Sequence, residues 1–170
     1  MPVETEQIRR KIADTLDEVG RVLDVGCGNC DLVRFLAREL AQEAVGIDLR
    51  TELVHEHLHS EQDGGERTAR CQKADAQHMD EFEDGHFDAV VSAHALHEIA
   101  DPGTALCEMR RVLTEGGTLL IADFTEGETR WNERYFTPAQ AQAMLQEAGF
   151  AEIEVEKVPG EHFMFALARK

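Results

Sequence analysis

The chain has 170 residues, of which 42% are hydrophobic and 30% charged, a composition typical of a globular protein with one core. Its formal net charge of −17 argues against a nucleic-acid backbone or an anionic membrane as the main partner. No apolar run approaches membrane-spanning length, and the acidic, polar start lacks the apolar core of a signal peptide. The sequence therefore predicts a single domain over residues 1–170, a cytoplasmic location and no membrane partner.

The first part of the chain alternates helical and strand patterns. The N-terminal segment, residues 1–20, has a helical period that would end at Gly20. The apolar residues expected on the inner face of this helix are Ile8, Ile12, Leu16 and Val19. A buried strand is predicted at 21–26, a helix at 30–41 and a second strand at 43–48. The residues expected to point inward from that second helix are Leu32, Phe35, Leu36 and Leu40.

The next segment, RTELVHEHLHSE at residues 50–61, is predicted to be a short helix followed by an acidic loop. Such a helix would place His55 and His59 one turn apart, a spacing that is compatible with a bound metal. No carboxylate or cysteine pattern completes a site, so a solvated helix face is favoured and no metal is predicted. Further strands are predicted at 70–75 and 86–93.

The last third of the chain continues the alternation. A helix is predicted at 101–113, a strand at 116–124 and a further helix at 137–150. The residues that would begin or end these helices are Asp101, Pro102, Thr137 and Gly149. Two closing strands, at 152–158 and 162–169, are joined so tightly that they predict an antiparallel hairpin.

This order of elements predicts an α/β fold. Strands that alternate with helices form a mostly parallel sheet, and right-handed crossovers place the helices on both of its faces. The expected architecture is Rossmann-like and doubly wound, with seven strands by the predictions above and a C-terminal antiparallel hairpin. Ligands of such sheets bind at the carboxyl ends of the strands, beside the point where the strand order reverses.

The stretch VLDVGCGNCDL, residues 22–32, supports two interpretations. Cys27 and Cys30 form a C-x-x-C pair, which is typical of a metal or redox site. Gly26 and Gly28 form a G-x-G at the end of a strand, where glycine permits a tight turn and removes the Cβ that would block a ligand. In a chain predicted to be cytosolic, its four cysteines are expected to be buried thiols rather than disulfides.

An acidic residue one strand later favours the nucleotide interpretation. Asp48 ends the second predicted strand, where a carboxylate can accept both hydroxyl groups of a ribose; its alternative role is to cap a following helix. A dinucleotide site would have a third glycine where this chain has Asp31, and an acid there would repel a pyrophosphate. A ligand that carries an ammonium and a sulfonium is tolerated far better, which favours S-adenosylmethionine over NAD.

At this point the chain resembles a known family. The motifs VLDVGCGNCDL and VGIDL, the stretch from KADAQHM to LLIADF and the closing hairpin are similar to those of class I S-adenosylmethionine-dependent methyltransferases. Within that class the chain resembles the type 11 branch, which includes the ubiquinone and menaquinone methyltransferases. The resemblance covers about residues 20–170 and implies a Rossmann-like fold, S-adenosylmethionine as cofactor and S-adenosylhomocysteine as product. It does not imply one acceptor, because the family's acceptors are diverse.

The resemblance also implies roles for particular residues. Asp48 would hold the ribose and Leu49 would lie against the adenine. Asp75 would bond the adenine amino group beside the Ala76 backbone, although a turn residue is the alternative for Asp75. The residues implied around the methionine end and the sulfonium are Asp24, Gly26, Cys27, Gly28, Ser92 and Ala93. Cys30 departs from the family, which usually has its third glycine at that position.

Three residues are candidates for contact with the methyl acceptor. A base is needed only if the acceptor must lose a proton, because the sulfonium already activates the methyl group. His94 follows the fourth predicted strand and is the first candidate. His97 is interpreted as core or capping packing before catalysis, and Asp123, at the end of the fifth predicted strand, is expected to face the pocket or to anchor a loop.

The segment at 124–136 is short and is predicted to lie on the acceptor side. Family members often bind the acceptor here, and in this chain aromatic rings could close over a small molecule while arginines hold an anionic group. The alternative is that the rings only pack the segment onto the core. The candidate substrate-binding residues are His94, Arg130, Trp131, Arg134 and Tyr135, with Phe136 beside them. A second subunit could complete so short a site, which makes a homodimer a candidate assembly.

The sequence thus predicts a methyltransferase that acts on a small molecule by in-line displacement. A second hypothesis is a protein that binds S-adenosylmethionine or S-adenosylhomocysteine as a sensor or partner subunit without transferring a methyl group. A third is a metal or redox protein that uses Cys27 and Cys30, and a nicotinamide oxidoreductase is the remaining alternative. DNA adenine methylation is disfavoured, because SAHALHE stands where the NPPY-like signature would be.

Overall fold

A computed structural model describes residues 3–17, 19–60, 63–125 and 135–170. Four α-helices and eight β-strands lie within these ranges, together with one short 3₁₀ turn at Leu96–Glu98. The helices are α1 (Val3–Thr15), α2 (Asp31–Glu39), α3 (Pro102–Val112) and α4 (Pro138–Glu147). The strands are β1 (Val19–Val25), β2 (Ala41–Asp48), β3 (Val54–His59), β4 (Glu66–Lys73), β5 (Phe87–Ala93), β6 (Leu113–Phe124), β7 (Ala151–Lys157) and β8 (Phe163–Arg169).

The strands of the described chain form one sheet in the order β3-β4-β2-β1-β5-β6-β8-β7. The five strands β4, β2, β1, β5 and β6 pair in parallel, while β8 pairs antiparallel with both β6 and β7. The chain runs outward from β1 through β2 to the edge strand β3, returns to β4 between them, and then crosses to β5 on the other side of β1. The strand order therefore reverses between β1 and β5, which is where a ligand site is expected.

Helices cover both faces of the sheet, as the right-handed crossovers require. One core lies beneath α1 and α2 and includes Ile8, Ile12 and Leu36, each at most 3% exposed. The other core lies beneath α3 and α4 and includes Leu106 and Leu145. The predicted fold class is thus confirmed, including the closing hairpin.

The predicted helix over 50–61 is wrong. Its central part is β3, an edge strand that pairs antiparallel with β4. Val54, Glu56 and Leu58 are half-buried, and they alternate with the exposed His55, His57 and His59. The two-residue period was not evident in the sequence, because the middle inward position is the charged Glu56. The structure accommodates this charge in an ion pair with Arg34 of α2 at 2.8 Å. The described sheet therefore has eight strands and not the seven predicted.

The first helix is shorter than predicted. It ends at Thr15, and Val19 and Gly20 already belong to β1, where Val19 pairs with Ala41 of β2. Gly20 does not end the helix. A Cβ at this position would lie only 2.9 Å from Oδ2 of Asp88. Sheet pairing thus determines this boundary, which the helical period of the sequence does not show.

The other helix boundaries follow their capping residues. The Asp101 carboxylate accepts a hydrogen bond from the Thr104 N–H at 3.0 Å, and Thr137 forms a capping box with Gln140. Gly149, with φ of 87°, follows α4 in the left-handed conformation that the sequence implied. For α2 the inward residues are Val33, Leu36 and Ala37, while Leu32, Phe35 and Leu40 are only half-buried.

The two adjacent arginines of α3, Arg110 and Arg111, bond to other groups of the protein itself. Arg111 donates to the Phe82 and Met79 carbonyls at 2.9 Å and to the Asp84 and Glu108 carboxylates. Arg110 donates to the Gly149 carbonyl at 2.9 Å. These two guanidinium groups therefore join α3 to neighbouring loops. In the part of the chain described, no helix is both long enough and apolar enough to cross a membrane.

Candidate functional site

A cavity of about 550 Å³ opens at the carboxyl ends of β1, β2, β4 and β5. Such a volume lies within the usual range for a small-molecule site. Parallel strands bring residues from four distant parts of the chain to this one edge of the sheet. The lining residues are Val25, Gly26, Gly28 and those at 47–51, 74–77, 93–95 and 98–100.

The glycine loop after β1 forms one wall of the cavity. Gly26 has φ of 83°, and a Cβ there would collide with the Cβ of Ala95. Gly28 has φ of 49° with open space where its Cβ would be, so its missing side chain leaves the cavity wall as bare backbone. Gly26 is therefore required by packing against Ala95, whereas Gly28 keeps the cavity wall open to a ligand.

Asp48 stands at the end of β2 and faces this loop. Its Oδ2 accepts a hydrogen bond from the Gly28 N–H at 3.2 Å, and its Oδ1 accepts one from the Arg50 N–H at 2.8 Å. These bonds fix the carboxylate at the cavity wall and leave further acceptor positions on both oxygens. No helix follows Asp48, so the capping alternative is wrong. The geometry suits a carboxylate that binds a diol.

Asp24 is buried in β1 directly behind the loop, with 1% of its surface exposed. Its Oδ1 has no hydrogen-bond partner among the described residues. Burial, and secondly the charge of Asp48, raise the pKa of Asp24 to about 7. Asp24 is not among the lining residues, although the next residue, Val25, is. A buried acceptor without a donor behind the cavity wall fits a ligand that brings a cationic donor, and the ammonium of S-adenosylmethionine is such a group.

The opposite wall follows β4. Asp75 and Ala76 both line it, as the adenine roles require. The Asp75 carboxylate also accepts a hydrogen bond from the Gln77 N–H at 2.9 Å, and this bond and one from the Gln77 side chain lower the pKa of Asp75. Asp75 is therefore both a turn residue and a cavity residue. Leu49 lines the cavity with 59% of its surface exposed, so its side chain offers an apolar surface on which a flat ring could pack.

His94 lines the cavity just after β5. Its backbone is left-handed, with φ of 54°, and its N–H donates to the Ala122 carbonyl at 2.8 Å. The imidazole packs against Phe124 and Phe163, with ring centroids 4.7 and 5.3 Å away. Backbone and rings together hold this side chain at the cavity edge.

His97 and Asp123 form a buried pair behind that wall. His97 Nδ1 and Asp123 Oδ1 are 2.6 Å apart, and Asp123 Oδ2 accepts a hydrogen bond from the His97 N–H at 3.0 Å. Neither residue lines the cavity, although Asp123 had been expected to face it. The His97 ring lies 5.1 Å from the ring of Tyr135. The arrangement is that of a polar anchor.

The remaining predicted site residues lie in different places. Ser92 is buried and donates to the Val25 carbonyl at 3.0 Å, so it joins β5 to β1, whereas Ala93 lines the cavity. Phe136 packs into the core, at 7% exposed. Arg130, Trp131 and Arg134 lie outside the described residues.

The cysteines differ from expectation. Cys30 and Cys71 form a disulfide, with Cα atoms 6.2 Å apart, although buried thiols were expected. Gly46, the register partner of Cys71, leaves no room for a Cβ, and this lets the glycine loop approach the sheet. Cys27 is a buried free thiol, whereas Cys107, expected in the core, is exposed. The C-x-x-C therefore does not act as a pair.

Sequence reasoning missed three contributors to the site. Thr51 donates to the Gly28 carbonyl at 2.6 Å and holds the glycine loop from the far side. Phe124 and Phe163 support His94, but in the sequence they are indistinguishable from ordinary strand residues. The sequence does show a threonine three residues after Asp48. Only the fold shows what Thr51 and the two phenylalanines contact.

Comparison with known proteins identifies a family for most of this region. The family described as a methyltransferase domain matches residues 23–121, more than half of the chain. The ubiquinone biosynthesis O-methyltransferase of Psychrobacter arcticus is 28% identical over 156 residues, which cover 79% of this chain and 60% of that protein. The 2-methyl-6-phytyl-1,4-hydroquinone methyltransferase of a Synechocystis species is 33% identical over 117 residues, which cover 69% of this chain and 36% of that protein.

The fold has counterparts among solved structures. An S-adenosylmethionine-dependent methyltransferase from Mesorhizobium loti superposes with a TM-score of 0.73 at 18% identity, covering 99% of this chain and 98% of that one. At this identity the likeness shows the shared fold. The matched segments amount to about half the length of the curated relatives, between 36% and 60% for the two described above.

Proposed function

This chain belongs to the methyltransferase domain family, whose members use S-adenosylmethionine, and we propose that it transfers the methyl group of that cofactor to a small molecule. One observation carries the proposal: a single cavity joins the glycine loop and Asp48, which suit the cofactor, to His94, which suits an acceptor. A site that served the cofactor alone would not need an imidazole held at its edge by two aromatic rings.

The residues of the chain divide the work of binding and orientation. When bound, the cofactor supplies a methyl group on a sulfonium, already activated for displacement. Asp48 would accept hydrogen bonds from the ribose hydroxyl groups, and the bare backbone at Gly28 would leave room for the methionine portion on the side of Asp24. Enzymes of this kind accelerate transfer mainly by proximity and alignment of the two reactants. His94 lies where it can contact the acceptor and accept its proton, while His97 and Asp123 are positioning residues.

The acceptor that fits best is a flat, largely apolar molecule with an ionisable hydroxyl group. The lining beside His94 includes the apolar side chains of Ala95 and Ile99. Phe124 and Phe163 pack behind His94 without lining the cavity. An imidazole is suited to accept a hydroxyl proton near neutral pH. Of the two curated relatives described above, one is named an O-methyltransferase of ubiquinone biosynthesis and the other a hydroquinone methyltransferase, which supports the same class. We further propose that the segment at 124–136, of which residues 126–134 lie outside the described ranges, contributes to acceptor binding.

The test is binding followed by turnover. Isothermal titration with S-adenosylmethionine and S-adenosylhomocysteine should show one site, and a panel of phenols, hydroquinones and amines should then be assayed for S-adenosylhomocysteine release. Methylation of a phenol or hydroquinone supports the proposal. Tight binding with no turnover on any acceptor would instead favour a sensor or partner subunit, and no binding would exclude both.

Substitution of His94 should separate the acceptor from the cofactor. His94→Asn suits the left-handed backbone but removes the imidazole, so kcat/KM for the acceptor should fall by about 100-fold, a usual effect of losing a general base. The dissociation constant for S-adenosylhomocysteine should change by less than about threefold, within the scatter of a lost surface contact. Equal losses in both quantities would show that His94 serves the cofactor instead.

Cofactor affinity should rise with pH through neutrality. Because the pKa of Asp24 is raised to about 7, the side chain is mostly neutral at pH 6 and mostly ionised at pH 8. Only the carboxylate attracts the ammonium of the ligand, so affinity for S-adenosylhomocysteine should increase about tenfold between these pH values. Titration calorimetry at several pH values measures the effect.

Two controls identify Asp24 as the source. The ligand 5′-methylthioadenosine lacks the ammonium and should bind with little pH dependence, and Asp24→Asn should abolish the dependence for S-adenosylhomocysteine. Without ligand, the folded chain holds the Asp24 proton more tightly than the unfolded chain does. The stability that Asp24 contributes should therefore decline from about pH 4 to pH 7, which the difference in unfolding free energy between the unsubstituted protein and Asp24→Asn should show. A flat affinity profile for the unsubstituted protein would contradict the assignment.

A further inference from the structure

The Cys30–Cys71 disulfide connects the two walls of the cofactor cavity. Cys30 follows Gly28 by two residues and is the N-cap of α2, while Cys71 lies in β4, three residues before Ala74. Gly28 lines one wall of the cavity and Ala74 the other. The sulfurs themselves are buried, since Cys30 and Cys71 are 1% and 0% exposed.

The bond closes a loop that contains the rest of the site. The two cysteines are 41 residues apart, and between them lie β2, Asp48 and the lining residues 47–51. Closing a loop of this length removes much of the freedom of the chain that forms it. The glycine loop is thus tied covalently to the strand that carries the adenine wall, and the cavity is already assembled before a ligand arrives.

The local backbone also depends on this bond. Cys30 has φ of 70°, a left-handed conformation that is uncommon for a residue other than glycine. Its N–H donates to the Cys27 carbonyl at 2.9 Å, and its own carbonyl accepts from the Arg34 N–H at 3.1 Å. Cys30 therefore has the backbone conformation of a glycine next to the start of α2. Once the disulfide is reduced, the bond no longer holds the backbone in this conformation.

We propose that this disulfide is a redox control on the cofactor site: the oxidised chain binds S-adenosylmethionine and S-adenosylhomocysteine more tightly than the reduced chain. The inference rests on the cofactor binding in the proposed function. In the reduction, the S–S bond breaks and two S–H bonds form, with two electrons and two protons from a dithiol that itself becomes a disulfide. The reverse step needs a low-molecular-weight disulfide, which is reduced to two thiols.

Binding and reduction are coupled in both directions. If the disulfide tightens the ligand by some factor, then bound ligand must make the disulfide harder to reduce by the same factor. Because the sulfurs are buried, a reductant reaches them only when the glycine loop opens, and a ligand seated on that loop opposes opening. Cys27 does not compete for the bond, since burial raises the pKa of its thiol to about 12 and so keeps it protonated.

The experiment compares the full chain in its two redox states. Alkylation under denaturing conditions should label two cysteines, Cys27 and Cys107, before reduction and all four after it. Titration with S-adenosylhomocysteine should give a dissociation constant about five- to tenfold higher for the reduced chain, a common size for coupling between sites. The Tm of the reduced chain should be lower by about 10 °C. Excess S-adenosylhomocysteine should slow reduction by dithiothreitol.

Matched variants separate the bond from its residues. Cys30→Gly with Cys71→Ala suits the left-handed backbone at residue 30, and this variant should bind the ligand with the affinity of the reduced chain and no response to dithiothreitol. Cys107→Ser removes an exposed thiol and should keep the full response. Four labelled cysteines before reduction, or equal affinities in the two states, would overturn the proposal alone. If neither state binds the ligand, the proposed function fails with it.

Discussion

Replacing Asp48 with alanine is expected to weaken binding of S-adenosylmethionine and S-adenosylhomocysteine by about 100-fold. The carboxylate is fixed by the Gly28 and Arg50 N–H groups, and it would accept hydrogen bonds from both ribose hydroxyls. A hydrogen bond to a charged group contributes about 1.5–3 kcal/mol, so the loss of two accounts for at least that factor. Titration calorimetry gives the dissociation constants, and circular dichroism confirms that the variant is folded.

A neighbouring acid is the matched control. Asp31, at the start of α2, bonds to the Asn29 side chain at 2.7 Å and does not line the cavity. Asp31→Ala removes the same charge from the same face, so a long-range electrostatic effect would appear in both variants. Asp31→Ala should change affinity by less than about threefold, because exposed charges are screened by salt. A change of under threefold in Asp48→Ala as well would overturn the ribose assignment.

Replacing Asp123 with alanine should cost the protein about 3–5 kcal/mol of unfolding free energy, the usual result of breaking a buried polar pair. Asp123 is fully buried, and its carboxylate bonds His97 twice and accepts from the Phe124 N–H at 2.8 Å. The variant leaves all of these groups buried without their acceptor. Thermal and urea unfolding should both report the loss, with Tm lower by about 10 °C.

Two further variants test whether the cost belongs to the pair. Asp88 is an exposed acid whose carboxylate accepts a hydrogen bond from the Arg21 N–H at 2.8 Å, and Asp88→Ala should cost about 1 kcal/mol. In a double-mutant cycle, Asp123→Ala and His97→Ala should be strongly non-additive, because each removes the other's partner. Additive losses, or a cost of Asp123→Ala below 1 kcal/mol, would show that the pair is not an anchor.

The cavity wall formed by the glycine loop and Asp48 could be predicted from the sequence because its signals are local. Gly26, Gly28 and Asp48 each follow a strand closely, and the carboxyl ends of parallel strands meet at one edge of the sheet. Asp75 was named only because the family resemblance implied it; the residues themselves left a turn residue as the alternative. Each residue's place is determined by its own strand and by the parallel topology, so no distant contact had to be known.

The acceptor side could not be predicted in the same way, because its organisation depends on contacts between distant segments. Whether His94, His97 or Asp123 faces the cavity is decided by side-chain packing at the ends of β5 and β6, and only His94 does so. Phe163, which supports His94, comes from β8, nearly seventy residues later in the chain. A strand pattern shows which face is apolar but not which partner a side chain meets.

The sequence alone determined most of the α/β alternation, the caps of α3 and α4 and the glycine loop, because these depend on periodicity and on the conformational freedom of single residues. Only the tertiary structure decided that residues 54–59 form an edge strand, where Arg34 holds the Glu56 charge, and that Cys30 pairs with Cys71. The Arg34–Glu56 ion pair and the Cys30–Cys71 bond each join residues more than twenty positions apart in the chain. In GCGNC the two glycines act through their own backbone, whereas Cys30 acts through a partner that only folding brings to it.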